Sequence, residues 1–160
     1  MMETERLILR PPEMRDADDF FDIFSDADTC RSDGGYEPLA KQHFVFEMVA
    51  ADQQNRLFIV EKASLRMIGV IHLMDTDAAG EKEIGYVIHR DYRRRGYASE
   101  AMNALLAFLR EQKACKVICT TYQFNIASQN LLEKLGFVET GRIEKQNPEW
   151  NERVYEKTLK

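Results

Sequence analysis

The chain has 160 residues, of which 44% are hydrophobic and 31% charged, and its formal net charge at pH 7 is −5. This length and composition are typical of one globular domain rather than of a disordered chain. The acidic balance does not favour nucleic acid as a partner, and no apolar run approaches the roughly 18 residues that cross a membrane. We therefore expect a single domain over residues 1–160, with no nucleic-acid and no membrane partner.

Residues 1–52 have the sequence patterns of one strand and two helices. The strand runs from Arg6 to Arg10 and is ended by two prolines. Asp16 then has the position and residue type of a helix N-cap, before a segment rich in phenylalanine. A polar stretch through Asp33–Gly35 follows, and the loop is predicted to extend from Thr29 to Glu37. A second helix is predicted from about Leu39 to Asp52, with apolar residues on one face.

Residues 53–160 have the sequence patterns of six further strands and two helices. The strongest helical pattern begins at Ala98, from which apolar residues recur at i+3, i+4, i+7, i+8 and i+11. Gly136 is a typical residue for ending the other helix. The strands are predicted at 57–61, 67–74, 82–89, 116–122, 137–143 and 154–159, and the other helix at 127–135. This order predicts an α/β (α+β) fold, a mixed sheet with helices on both faces.

The cysteines indicate the compartment in which the protein works. Cys30, Cys115 and Cys119 are odd in number and form no C-x-x-C pair, which suits a reducing environment better than secretion. The charged N-terminal sequence does not resemble a signal peptide, so we expect a cytoplasmic protein. The three histidines are far apart in sequence, and their spacing predicts no metal site.

A basic turn between a strand and the strongest helix is the clearest functional feature. Arg90, Arg93, Arg94 and Arg95 precede Gly96 in a chain that is acidic overall. The first N–H groups of a helix lack internal partners and attract an anion, and a glycine lets a diphosphate approach them closely. Neither the phosphate loop G-x-x-x-x-G-K-[ST] nor the dinucleotide fingerprint G-x-G-x-x-G is present. The alternative is an ordinary solvated arginine-rich loop.

Three separated motifs together resemble the GNAT acetyltransferase superfamily and cover nearly the whole chain. Arg93-x-x-Gly96-x-Ala98 resembles the Q/R-x-x-G-x-G/A signature that binds the pyrophosphate of acetyl-CoA. The segment from Asn125 to Phe137 resembles the second motif of that superfamily. The segment Thr4–Arg10 resembles the branch that acetylates the N-termini of ribosomal proteins.

The resemblance implies where acetyl-CoA would bind. In the GNAT fold, a mostly antiparallel sheet of six to seven strands contains a central parallel pair, which splays apart and admits the pantetheine arm like an extra strand. Asn125 and Ser128 match positions on the second side of that opening. The residues implied to bind the cofactor on the first side are Tyr86, Val87, Ile88, Arg93, Arg94, Arg95, Gly96, Tyr97, Ala98 and Ser99.

The catalytic residues implied by the resemblance are less regular. Glu83 is the expected general base, because some relatives have a glutamate near this place; the alternative is a surface charge paired with Lys82 or an arginine. Leu132 occupies the position at which many members have a tyrosine that serves as the general acid. Thr120 occupies the position at which another branch has a glutamate that serves as the general base. We expect Ser128 to act as the acid; the alternative is a hydroxyl that satisfies backbone groups at the helix start.

These expectations define one function and one alternative. The chain is expected to transfer an acetyl group from acetyl-CoA directly to a primary amine within a ternary complex, without a metal. A main-chain N–H near Ile88 would stabilise the oxyanion. The acceptor is either the N-terminus of a protein or peptide, or a small amine. Homodimers are frequent in this superfamily, so the resemblance also brings a homodimer into consideration. The alternative is a catalytically silent acetyl-CoA-binding sensor or regulatory domain.

Overall fold

The computed structural model describes residues 1–40 and 53–160, so most of the helix predicted from Leu39 to Asp52 lies outside the described residues. The described strands are β1 Met2–Glu3, β2 Leu7–Arg10, β3 Arg56–Glu61, β4 Met67–Asp75, β5 Glu81–Ile88, β6 Lys116–Tyr122, β7 Val138–Ile143 and β8 Glu152–Thr158. The described α-helices are α1 Ala17–Phe24, α2 Ala27–Asp33, α3 Tyr97–Glu111 and α4 Ile126–Lys134. No helix among these residues combines the length and the apolar character that crossing a bilayer requires.

The eight strands form one mixed sheet, in the order β1-β2-β3-β4-β5-β6-β8-β7. Strands β5 and β6 run parallel, whereas the pairs β1–β2, β2–β3, β3–β4, β6–β8 and β7–β8 are antiparallel. The prediction of a mixed, mostly antiparallel sheet with a parallel pair is confirmed. The sheet has eight strands instead of the six to seven expected. Strand β1 was not predicted, because it has only two residues and shows no alternation.

The described residues divide into two compact units. The first unit consists of residues 1–73 and 86–105, and the second of residues 74–85 and 106–160. The core of the first unit is built around Phe20, whose ring lies 4.5 Å from that of Phe24 and 5.6 Å from that of Phe58 between centroids. The phenylalanine-rich segment therefore forms a helix because these rings need a common apolar face.

Asp16 immediately precedes α1, as predicted, but its side chain does not cap the helix. The two carboxylate oxygens accept hydrogen bonds from Arg10 Nη1 and Nη2, both at 2.8 Å, and the pair is buried. One of those oxygens also accepts from the main-chain N–H of Glu13 at 2.8 Å. The predicted N-cap position is therefore confirmed, but the Asp16 oxygens do not bind the first turn of α1, because a buried arginine competes for them and offers a bidentate partner.

Helix α2 lies where the sequence predicted the start of a polar loop. Asp26 is its N-cap, and the Asp26 carboxylate accepts hydrogen bonds from the main-chain N–H of Thr29 at 3.0 Å and from the Thr29 hydroxyl at 2.7 Å. The short helix escaped detection because it has few apolar residues, so the periodicity on which the prediction depends is absent. The Asp-x-x-Thr spacing was the available signal.

The second unit is organised around strand β6. It pairs with β8 from Lys116–Thr158 to Tyr122–Glu152, which is the full length of β6. Tyr155 on β8 faces Cys119 in this register and is fully buried, so it belongs to the core. Gly136 follows α4 with a φ of +83°, which confirms it as the residue that ends this helix.

The three cysteines should differ in their reactivity toward a disulfide reagent at pH 8. Burial, with a smaller contribution from the Glu83 carboxylate, raises the pKa of Cys119 to about 12, and burial also raises the pKa of Cys30. Both therefore remain protonated thiols at pH 8, whereas Cys115 is exposed. We expect one fast-reacting thiol in the native protein and three after denaturation; three fast thiols in the native protein would contradict this assignment.

Candidate functional site

In the first unit, the basic turn presents a row of unpaired main-chain donors. Arg94 and Gly96 both have left-handed backbones, with φ of 60° and 80°, and bend the chain into α3. Glu100 N donates to Gly96 O at 3.0 Å, which is the first hydrogen bond of the helix. Within the described residues, the main-chain N–H groups from Gly96 to Ser99 have no acceptor. This arrangement suits an anion.

The arginines of the turn have different environments. Arg93 donates from Nε to Ile88 O at 3.0 Å and from Nη2 to Thr29 Oγ1 at 2.7 Å, so its side chain is held within the first unit. Arg90 forms an ion pair with Asp26 at 3.3 Å. The exposed side chains of Arg94 and Arg95 form no ion pair with any described residue. Among the described residues, the positive charge that no ion pair or side-chain hydrogen bond occupies is therefore that of Arg94 and Arg95, and not that of all four arginines of the turn.

Two residues that the sequence analysis did not single out, Arg6 and Glu100, also contact this turn. Arg6 Nε donates to Glu100 Oε2 at 2.7 Å, and Arg6 Nη1 donates to Arg95 O at 2.9 Å. Burial by itself would raise the pKa of Glu100, but hydrogen bonds from Thr4 and Arg6 outweigh it and lower that pKa. Glu100 is therefore ionised at neutral pH, at the start of a helix whose dipole favours an anion.

His89 stands between β5 and the turn, and its ring is almost fully buried. Its Nε2 lies 2.7 Å from Asp22 Oδ2, and its Nδ1 accepts a hydrogen bond from the main-chain N–H of Asp91 at 3.1 Å. These contacts hold the entrance of the turn against α1. In the part of the chain that the structure describes, no group of three or more His, Cys, Asp or Glu residues could hold a metal ion.

The end of β5 approaches β4 unusually closely in the first unit. A Cβ atom added to Gly69 would lie 2.6 Å from Val87 O, closer than real contacts allow. His89 N donates to Ile68 O at 2.8 Å just beyond the strand. Val87 and Ile88 are buried and Tyr86 is half-buried. The absence of a side chain at Gly69 therefore lets β4 lie close to the Val87 carbonyl, which is the middle one of the three predicted pantetheine positions.

In the second unit, Glu83 on β5 lies opposite Ile118 on the parallel strand β6. The parallel register covers three residue pairs and ends at Glu83–Ile118, although β6 continues to Tyr122. Glu83 is half-buried, and its carboxylate forms no hydrogen bond or ion pair with another described residue. Lys82, the alternative partner considered for it, instead forms an ion pair with Asp75. Glu83 therefore differs from a surface charge that is neutralised by its neighbours.

Asn125 and Ser128 begin helix α4. Asn125 is the N-cap, and its Oδ1 accepts a hydrogen bond from the main-chain N–H of Ser128 at 3.2 Å. Gln129 in the next position is buried and donates to Tyr122 O at 3.2 Å and to Gln123 O at 3.0 Å. The Asn-x-x-Ser spacing therefore has a structural basis as a helix cap. The cap uses Oδ1 of Asn125, and the two N–H donors of the same amide group have no acceptor among the described residues.

The two positions at which the sequence departs from the motifs that it resembles also have definite places in the second unit. Leu132 is fully buried on α4, so a side chain at this position contributes to the core. Thr120 is half-buried on β6. Near the end of β6, the rings of Tyr122 and Phe124 stack at 5.2 Å, and Trp150 meets both edge-to-face at 5.3 and 5.8 Å. These three aromatic side chains form a half-buried cluster.

Comparisons with known proteins agree with this architecture. Residues 6–138 match the family model described as "Acetyltransferase (GNAT) domain". YnaD, an uncharacterized N-acetyltransferase of Bacillus subtilis, is 28% identical over 93% of this chain and 89% of its own length. A GNAT-family acetyltransferase of Bacillus anthracis is 25% identical, with a TM-score of 0.88 over 99% of this chain and 98% of that structure.

A more distant neighbour is the spermidine N-acetyltransferase of Vibrio cholerae, solved in complex with CoA and spermine. It has a TM-score of 0.83 at 17% identity, over 98% of this chain and 97% of that structure, and so shares the fold. The family match spans most of the chain and includes the basic turn and the start of α4. The chain therefore belongs to the GNAT family of acetyltransferases, and it is an N-acetyltransferase.

Proposed function

We propose that this chain, acting as one domain over residues 1–160, transfers an acetyl group from acetyl-CoA to a primary amine. The observation on which the proposal depends is the row of four main-chain N–H groups from Gly96 to Ser99 that lack an acceptor among the described residues. A diphosphate supplies the matching acceptors and negative charge. The exposed side chains of Arg94 and Arg95, which form no ion pair with a residue of the described ranges, add positive charge at the same turn.

The remainder of acetyl-CoA is proposed to follow strand β5. The pantetheine arm contains amide groups, which are able to hydrogen-bond with the main chain at Tyr86, Val87 and Ile88 as an added strand does. The three residue pairs from Glu81–Lys116 to Glu83–Ile118 are parallel, which agrees with the parallel pair that this binding mode requires. Asn125 would contact the cofactor through the amide N–H groups that its helix cap leaves available.

The chemistry requires a neutral amine, a stabilised oxyanion and a protonated leaving group. A primary amine is largely protonated at pH 7, so it must lose a proton before it attacks the thioester carbonyl. Glu83 is proposed to accept that proton, directly or through water. A C–N bond then forms and the C–S bond breaks, while a main-chain N–H near Ile88 stabilises the oxyanion. Ser128 is proposed to give the departing thiolate a proton.

The acceptor is proposed to be either a small amine or the N-terminus of a peptide or protein. The Vibrio cholerae spermidine acetyltransferase shares this fold, and the Thr4–Arg10 segment resembles the branch that acetylates ribosomal proteins. The acidic net charge agrees with a cationic acceptor. A cytoplasmic location and a possible homodimer stay predictions.

A thiol-release assay with a panel of amines tests the proposal against a silent sensor. The panel should contain spermidine, free amino acids and short peptides with a free N-terminus. Amine-dependent release of CoA from acetyl-CoA supports the enzyme, whereas tight binding of acetyl-CoA with no release supports the sensor. Because Cys115 is exposed and would react with the thiol reagent, the assay should use the Cys115→Ser variant or detect CoA by mass.

Replacing Ser128 by alanine should lower kcat by about 100-fold if its hydroxyl protonates the leaving thiolate. The affinity for CoA should stay within a few-fold, because the Asn125 cap binds the main-chain N–H of Ser128 and does not need its hydroxyl. Ser128→Thr keeps a hydroxyl and is the matched control, which should retain most of the rate. A collapse of CoA affinity in Ser128→Ala would make Ser128 a binding residue instead.

A further inference from the structure

A single carboxylate on the first turn of α3 binds the segment between β1 and β2. Glu100 Oε1 accepts hydrogen bonds from the Thr4 hydroxyl and from the main-chain N–H of Arg6, the latter at 2.9 Å. Glu100 Oε2 accepts from Arg6 Nε at 2.7 Å. Arg6 and Glu100 are 94 positions apart in sequence, so this contact joins the N-terminal segment to the beginning of the helix.

The Arg6 guanidinium also contacts the turn itself. Its Nη1 donates to Arg95 O at 2.9 Å, and its Cζ lies 4.3 Å from the centroid of the Tyr97 ring. A Cβ atom added to Gly96 would lie 3.4 Å from Arg6 Nη2. One planar group therefore contacts the turn and the first turn of α3 together, which the forked geometry of arginine permits and that of lysine does not.

The contact with Arg95 O bears directly on the proposed diphosphate site. The peptide bond between Arg95 and Gly96 is planar and trans, so the carbonyl of one residue and the N–H of the next point in opposite directions. Fixing Arg95 O therefore fixes the direction of the Gly96 N–H. The lowered pKa of Glu100 keeps its carboxylate charged, so the charge-assisted contact with Arg6 persists at neutral pH.

We infer that Arg6 is a positioning residue, which aims the Gly96 N–H at the diphosphate by holding Arg95 O and Glu100 at once. The inference rests on the proposed function, since it concerns the same anion site. The N-terminal segment Thr4–Arg6 would thereby contribute to cofactor binding. Arg6 acts through the main chain of the turn, so a positive charge alone at this position is insufficient.

Titration calorimetry with CoA tests this inference on three variants of the full chain. Arg6→Gln should raise the Kd for CoA by about tenfold, as expected for the loss of a charge-assisted contact. Arg6→Lys should behave like Arg6→Gln, because lysine cannot bridge both acceptors. Arg66→Gln is the matched control: Arg66 Nε also donates to a carboxylate, that of Asp19, at 2.9 Å, and this variant should leave the Kd unchanged.

A second measurement separates positioning of the diphosphate from a general loss of structure. With an acceptor identified in the amine panel, Arg6→Gln should lower kcat/KM for acetyl-CoA about tenfold. The value for S-acetylpantetheine, which lacks the diphosphate, should be unchanged. Equal losses with both donors, or full CoA affinity in Arg6→Lys, would overturn the inference. If the wild-type chain itself bound no CoA, the proposed function would fail as well; wild-type binding with unaltered Arg6→Gln binding would refute the positioning role alone.

Discussion

Replacing Gly96 by valine is expected to weaken acetyl-CoA binding by about 100-fold, equivalent to about 2.8 kcal/mol. Gly96 has a φ of 80°, a left-handed conformation that costs other residues about 1–2 kcal/mol and is a genuine outlier for a β-branched one. Valine would relax this strain by rotating the backbone of the turn. The N–H groups from Gly96 to Ser99 would then no longer converge on one anion.

Gly136 supplies the matched control for the Gly96 experiment. Its φ of 83° is nearly the same, but it follows helix α4 in the second unit and has no proposed contact with the cofactor. Gly136→Val should therefore lower the melting temperature without changing the Kd for acetyl-CoA. If Gly96→Val lost stability only, or if both variants lost affinity equally, the diphosphate would not bind at this turn. Calorimetry and thermal unfolding on the two variants provide both readouts.

Sequence reasoning predicted the elements whose patterns are local and long. The apolar repeat from Ala98 gave α3, and the bounds of β6 agree with the structure at both ends. It failed for β1, with two residues, and for α2, with seven, because neither is long enough to establish a period. Local patterns also cannot show competition between partners. Asp16 has the residue type of a cap, yet its oxygens bind Arg10 in the folded chain.

The candidate site shows the same division between local and distant information. The small residue at 96 and the positive charge at 94 and 95 follow from the motif itself, whereas the left-handed backbone of Gly96 is seen only in the structure. That Arg93 binds Ile88 O and Thr29, instead of remaining available to a ligand, depends on where helix α2 packs. The Arg6–Glu100 contact joins residues 94 positions apart, so no local pattern predicts it. The roles of Glu83 and Ser128 stay predictions, since they depend on chemistry with a bound substrate.

Replacing Glu83 by glutamine is expected to lower kcat by about 100-fold and to change the pH dependence of the rate. A general base must accept a proton from the attacking amine or from a water molecule, and the glutamine amide is not basic enough to do so. The variant should therefore lose the part of the rate that depends on a base at this position. Glu83 is half-buried without an ion-pair partner among the described residues, which leaves its oxygens available to an amine or a water molecule.

Glu81 is the control that separates this catalytic role from a loss of negative charge on strand β5. Glu81 lies two residues earlier on the same strand, but its carboxylate binds Lys116 at 2.6 Å and the Thr76 hydroxyl at 2.9 Å. Those contacts lower the pKa of Glu81, so its stabilising effect is present at neutral pH and lost in acid. Glu81→Gln should therefore reduce the melting temperature at pH 7 while keeping the wild-type shape of the pH–rate profile. If Glu83→Gln also keeps the wild-type shape of the pH–rate profile, the base must be another residue or the solvent. Glu83 would then have only a structural position on β5, opposite Ile118 of β6.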